Sequence, residues 1–311
     1  MSHPNQFEFV TDSAVTAMML AALDAGSTSW VDALAMRVQS DDASESYAWL
    51  GNVPGLSEFI GGRTKKELKE YKFSISNTDY ESTLVFQRKD LRRDKTGMID
   101  LRVGQFADRV MDHPAKLLST LIVNGESSVC YDGQYFFDTD HQDRDEGTQS
   151  NDLTSSAVAP TDPTTAEMTD GIMAAIQAMY GLVDDQGEPV NQSAMDFMVM
   201  VPVPFMRATL EATTSLLGSG GATNLLPALA GKININVQVN PRLSWTDRMM
   251  VARTDGGVKP FILQEEYGPE PWALGPTSEH CTKTGECWYG VDWGGNVGYG
   301  DWRGAALVTF T

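Results

Sequence analysis

The chain has 311 residues, 41% of them hydrophobic, and a formal charge of −19, which suits one large or two moderate globular domains and excludes a disordered chain. An isoelectric point near 4.5 argues against nucleic-acid binding by the monomer as a whole, because phosphate recognition needs clustered cations. No apolar run reaches about 18 residues and no basic-then-apolar leader opens the chain, so a soluble, unexported protein is expected. Three cysteines, Cys130, Cys281 and Cys287, form no dense framework and fit a reducing compartment.

A helix is expected over residues 11–25, with Thr11 or Asp12 as cap, Val15, Met18, Met19 and Ala22 on one face, and Gly26 as the stop. An extended run follows at 30–38, then a linker by composition at 40–46. The apolar segment around Tyr47, Trp49, Phe59 and Ile60 is too short for a domain and reads as an arm. Residues 72–76 and 83–87 alternate apolar and polar around a turn at 77–81, the pattern of a hairpin. From Met98 the positions Val103, Phe106, Val110, Leu117 and Leu121 mark one helix face. Pro114 interrupts that face, so the chain either bends at Asp112, His113 and Pro114 or starts a second helix capped by Asp112.

Charge is unevenly spread. Of 23 lysines and arginines, 12 fall within residues 63–109 beside 8 acids, leaving that stretch near +4 and the remainder near −23. A hairpin flanked by Lys65, Lys66, Lys69 and Lys72 on one side and Arg88, Lys89, Arg92, Arg93 and Lys95 on the other cannot bury those groups in its own core. It is expected to project, and an isolated hairpin is marginal in water, so an acidic surface elsewhere is its natural partner; an ordinary solvated hairpin is the alternative.

Residues 129–141 alternate aromatics and acids, and 142–162 read as a polar surface loop. A helix should begin at Asp162 and Pro163, with Met168, Ile172, Ile176, Met179 and Val183 as its face, and end at 184–187. A strand at 197–201, a helix at 204–217 and a glycine-rich break at 218–221 precede strands at 233–239, 249–253, 261–264, 288–293 and 305–310. Interspersed helices with strands clustered late indicate an α+β fold.

The chemistry-bearing residues give little. Asp138, Asp140 and His141, with Asp143, Asp145 and Glu146 nearby, are the strongest metal-like cluster, but the calcium-loop spacing is absent and a solvated acidic loop is the simpler reading. His280, Cys281 and Cys287, with Cys130 as a fourth ligand, lack zinc-site spacing, and no cysteine has a base at a recognisable offset. Gly218 to Gly221 lack the phosphate-loop ending. Gly290, Gly294, Gly295, Gly298 and Gly300, among Trp288, Tyr289, Trp293, Tyr299 and Trp302, read as tight turns with aromatic packing. No catalytic, cofactor-binding or metal-binding residue is assigned, which points to an interaction or structural protein.

Short strings in a common order then carry a resemblance: 47–51, 80–83, His113 with Pro114, Cys130 to Gln134 followed by Phe136 to His141, 259–262, and 289–292 with Gly295 and Asn296. Together they resemble the Mu-like bacteriophage major head subunit (gpT) family, and 130–141 is the most specific piece. The resemblance implies the HK97-type capsid fold, α+β. It would comprise an N-terminal arm (1–62), an extended loop (63–96), a spine helix with peripheral domain (97–161), an axial domain (162–240) and return strands (241–311).

It further implies a non-enzymatic major capsid protein that self-assembles into hexamers and pentamers as an icosahedral head around packaged double-stranded DNA, without sequence-specific binding. A separate scaffolding protein, a portal, a maturation protease and decoration proteins are the implied partners, with no membrane and no cofactor. The implied location is the virion, after assembly in the host cytoplasm. Lys65, Lys69, Arg88, Arg92 and Arg93 would meet acids of an adjacent subunit, and Phe73, Ile75, Leu84 and Phe86 would add apolar contact. Exposed ion pairs contribute about 0–1 kcal/mol each, so such a shell rests on many weak contacts multiplied by valency. A tail or baseplate component, or a metal hydrolase using Asp138, Asp140 and His141, are the alternatives.

Overall fold

The computed structural model describes residues 12–25, 29–47, 73–91, 97–142, 147–184, 187–216, 224–229 and 231–311. In chain order the first half holds α1 (Asp12–Ala25), α2 (Ser29–Leu34), β1 (Ala35–Gln39), β2 (Ser44–Ser46), β3 (Ser74–Ser76), β4 (Thr78–Gln87), α3 (Arg88–Leu91), α4 (Met98–Met111), α5 (His113–Val123), β5 (His141–Gln142), β6 (Thr148–Gln149) and β7 (Asp152–Ser155). The second half holds α6 (Thr165–Gly181), β8 (Asp196–Val201), α7 (Met206–Thr214), α8 (Leu225–Ala228), β9 (Asn234–Val239), β10 (Arg248–Arg253), β11 (Phe261–Leu274), α9 (Glu279–Thr284), β12 (Glu286–Tyr299) and β13 (Ala305–Phe310).

A five-stranded sheet, ordered β7-β13-β10-β8-β9, has an antiparallel centre and parallel outer pairs. Its central strands are apolar on both sides, as a sheet covered on both faces requires. Because strand side chains alternate, Phe197, Val199, Val201, Met249, Val251, Ala306 and Val308 pack with Met168, Ile172, Ile176 and Met179 of α6. Their neighbours Met198, Met200, Met250, Ala252, Ala305 and Leu307 face a second core with Leu118 and Ile122 of α5.

The other large sheet is four-stranded, ordered β1-β11-β12-β4. β11 and β12 are each 14 residues long, far beyond the short strands expected at 261–264 and 288–293. The glycines of β12 explain the difference. They are strand residues and not turns, and aromatic rings of the neighbouring strand lie across them: a Cβ at Gly290 would strike the Trp272 ring, and one at Gly294 the Tyr267 ring.

Over the described residues 73–87 the expected hairpin does not form. β4 pairs antiparallel with β12 from Thr78 to Gln87, while β3 pairs with β2. Asn77 turns the chain between them, its amide donating to Ser40 Oγ (2.9 Å) and to the Asp42 carbonyl (2.8 Å). Alternation reveals a strand but not its partner. The same pairing makes part of the expected linker at 40–46 a strand.

The helix from Met98 divides at Asp112, which ends α4 and precedes α5 with Pro114 in its first turn; a second helix does start there, but the Asp112 carboxylate accepts from Arg242 (3.3 Å) and does not cap it. The two helices serve different cores. Ile99, Val103 and Phe106 of α4 pack with Val15 and Met19 of α1 and with Tyr289 of β12. On α5 the buried line is Ala115, Leu118 and Ile122, so Leu117 and Leu121, read as one continuous face, are only partly buried.

Smaller differences follow local causes. Residues 30–34 are helical, one turn that buries Val31 and Leu34. The expected surface loop at 142–162 contributes edge strand β7 and the fully buried Asn151. Helix α6 starts two residues beyond Pro163, where Thr164 and Glu167 form a capping box. A 3-10 turn precedes α7, which ends at Thr214. Cys281 and Cys287 are disulfide-bonded across the α9–β12 corner, against the expectation of unpaired thiols, because Gly285 in a left-handed conformation (φ 75°) folds the chain back there.

Candidate functional site

Of the residues expected to contact a neighbouring subunit, Lys65, Lys69, Arg92 and Arg93 lie outside the described residues. Ile75 and Phe86 correct the expectation: they are 5% and 4% exposed. Ile75 lies over Gly298, and Phe86 meets the Tyr289 ring edge-on at 6.0 Å. With β3 and β4 drawn into the molecule's own sheets, these side chains fill its own core. Phe73 and Leu84 are partly buried on the same cores. Arg88 is half-buried at the start of α3, its backbone N–H donating to the Gly285 carbonyl at 2.8 Å.

Among the described residues apolar side chains are exposed elsewhere too, and two groups of them involve helices. Val85, Met98 and Leu101 are exposed where β4 meets the start of α4, and Val85 and Met98 line a groove there that Asp90 and Arg102 flank. The second patch lies on α7, which packs on the five-stranded sheet: Val203, Met206 and Leu210 recur at helical spacing along one side of α7 and its preceding turn, all exposed, with Leu216 beyond them 72% exposed. Exposed apolar side chains gathered on one helix side, not scattered singly, mark an interaction surface. Sequence periodicity had signalled α7 as a helix, but burial alone distinguishes its outward apolar line from its inward one.

Tyr80, His113 and Trp293 form an aromatic trio, with ring centroids 4.3 Å (Tyr80 to His113) and 5.5 Å (His113 to Trp293) apart. Burial and the nearby Lys116 hold the His113 imidazole below its ordinary value.

The acidic loop does not bring Asp138, Asp140 and His141 together as a site. Asp138 is spent on turn geometry, its carboxylate accepting from the backbone N–H groups of Thr139 (2.7 Å) and Tyr135 (3.3 Å). Asp140 is exposed, its carboxyl pushed up by hydrogen bonding with Asp138. His141 turns inward and is fully buried, with Nδ1 2.6 Å from Asp132 Oδ2 and its ring stacked on Trp302 at 3.9 Å. Asp143, Asp145 and Glu146 lie outside the described residues. The set that lacked zinc-site spacing is not brought together either, since Cys281 and Cys287 are bonded to each other while Cys130 sits in another core.

Comparison with known proteins bears on what these surfaces serve. The model of the family described as Mu-like prophage major head subunit gpT matches residues 11–166. The chain belongs to the Mu-like major head subunit family. The FluMu major head subunit of Haemophilus influenzae is 37% identical over 108 residues, and the major capsid protein of Escherichia phage Mu 34% identical over 108. Each match spans 35% of this chain and 35% of the relative, about a third of either length. Among solved structures, the bacteriophage JBD30 procapsid matches 99% of this chain and 76% of its own chain, with a TM-score of 0.56 at 23% identity. The fold is thus the α+β HK97-type capsid fold. Membership in the head-subunit family adds no support to a metal-hydrolase reading, and among the described residues no helix is long and apolar enough to cross a membrane.

Proposed function

We propose that the chain is a major capsid protein that assembles with copies of itself into hexamers and pentamers of a closed head shell. Two exposed apolar patches, one where β4 meets α4 and one on α7, carry this reading, because a subunit with two separate, non-identical contact faces makes heterologous contacts, and these close into rings and shells. The family relationship and the fold likeness support it. In this reading residues 1–62 are the arm, 63–96 the extended loop, 97–124 the spine segment and 162–240 the axial domain. Packaged double-stranded DNA, a scaffolding protein, a portal, a maturation protease and decoration proteins are the further partners. No catalytic role is assigned, assembly takes place in the host cytoplasm, and the mature location is the virion.

Leu101→Asp and Met206→Asp test it, since each places a charge on an exposed patch where the isolated subunit has nothing to lose. By negative-stain microscopy the wild type is expected to form closed shells, and each variant folded subunits or small oligomers only. A wild type that stays monomeric under all conditions, or variants that assemble as well as the wild type, would overturn the proposal. Tubes or small rings in place of shells would favour a tail or baseplate component.

A further inference from the structure

We propose that Cys130, Asp132 and His141 form a buried zinc site, a metal staple within the loop that joins α5 to the five-stranded sheet. The local sequence builds two of the three ligands into one turn. Gly133, in a left-handed conformation (φ 95°), lets the chain reverse after Asp132, and the turn closes through Cys130 N–H to the Gln134 carbonyl (2.8 Å) and Gly133 N–H to the Cys130 carbonyl (3.2 Å). Sγ of Cys130 and the carboxylate of Asp132 therefore leave the same knuckle, two residues apart. β5 delivers His141 opposite them, and the three ligand atoms fall within 4.8 Å of one another. The site is buried: Cys130 is 4% exposed, His141 0%, and the Asp132 side chain 4%.

Orientation of the histidine is the independent observation. The Asn151 amide donates to the carbonyls of Phe136 (2.8 Å), Ala305 (3.1 Å) and Trp302 (3.2 Å), which leaves its oxygen facing His141 Nε2 at 3.2 Å. Nε2 must then carry a proton, and Nδ1 is the atom turned to Asp132 and Cys130. A ligating histidine held by a hydrogen bond from its other nitrogen is the usual outer support of a metal centre. Stacking on Trp302 at an interplanar angle of 4° fixes the ring plane.

Without metal, protons occupy the place of the cation. The Cys130 thiol donates to Asp132 Oδ1 (3.0 Å) and His141 Nδ1–H to Oδ2 (2.6 Å). With one proton bridging Nδ1 and Oδ2, thiol, carboxylate and imidazole together sum to zero charge. Binding one Zn²⁺ displaces the thiol proton and the Nδ1 proton, giving thiolate, carboxylate and neutral imidazole around the cation, again zero, with two protons released. No redox step is involved. Bonds of about 2.0–2.3 Å imply ligand separations of roughly 3.3–3.8 Å, so the two hydrogen-bonded contacts lengthen and any separation near the 4.8 Å limit shortens on binding, and water takes the fourth position. A thiolate with an imidazole selects zinc over calcium or magnesium.

The test is metal binding by the purified full chain. After dialysis against zinc and then metal-free buffer, the wild type is expected to keep one zinc per chain by elemental analysis. Zinc is expected to raise its melting temperature, and chelation to reverse the rise. Cobalt should produce a thiolate-to-metal band that Cys130→Ser abolishes and that the paired change Cys281→Ala with Cys287→Ala leaves intact. A folded wild type that retains no zinc, shows no thermal shift and gives no cobalt band overturns the proposal, whether or not any variant folds.

Discussion

Gly294 shows how closely single residues are used in β12. The Tyr267 ring lies against it, held at its far end by a hydrogen bond from its hydroxyl to Asp79 Oδ1 (2.9 Å). Neither ring nor strand can yield freely, so Gly294→Ala is expected to destabilise the subunit by about 1–3 kcal/mol, the usual cost of overpacking. Urea unfolding of the variant measures it, and truncating Tyr267 in the same chain should recover most of the loss. These glycines were visible in the sequence as a cluster among aromatics, but their meaning was not. A glycine that admits a turn and one that admits a ring are the same letter, and only the strand partner separates them. Likewise Cys130 and His141 fall in different candidate sets in the sequence, because the approach of β5 to the turn at Gly133 depends on a fold the spacing does not state.

Helix α6 was legible along most of its length, since Met168, Ile172, Ile176 and Met179 repeat without interruption. Its first turn was misplaced because Asp162 and Pro163 also make a good start, and the capping box of Thr164 and Glu167 wins by satisfying two backbone donors. Thr164→Ala is expected to cost about 0.5–2 kcal/mol by thermal or chemical unfolding. The Glu167 carboxyl is held below its ordinary 4.5 by the backbone N–H groups of Thr164 and Val158. A carboxyl lowered in the folded state stabilises above its unfolded value, and that contribution disappears as pH falls through the folded one. Amide exchange at the start of α6 should therefore quicken in acid below pH 4.5 before the helix centre responds. On α5, Leu118 is fully buried. Leu118→Ala should cost about 2–5 kcal/mol in unfolding free energy, whereas Leu117→Ala, on the partly buried flank, should cost clearly less.

At the scale of the whole subunit, the reading of the chain as a shell protein rested on ordered short strings and an uneven charge, while the pairing of its strands did not follow from either. Alternation at 72–76 and 83–87 was real, but long-range partners β2 and β12 claimed those strands. For the basic stretch around Arg92 and Arg93, which lie outside the described residues, a role at the contact between subunits is proposed. Reversing both to Glu should spare the circular dichroism and melting of the subunit and abolish shells in negative stain. Unchanged shell yield would remove that role.

The central sheet carries a further consequence. Since odd and even positions of β8, β10 and β13 feed separate interiors, neither side is a spare surface on which the sequence can drift. Insertion or loss of one residue in any of these strands would send every following side chain into the wrong interior, damaging both halves of the subunit at once. Natural variation in length should therefore collect in the connections outside these strands, and homologues compared across this region should differ there by whole loops and within the strands by substitution alone.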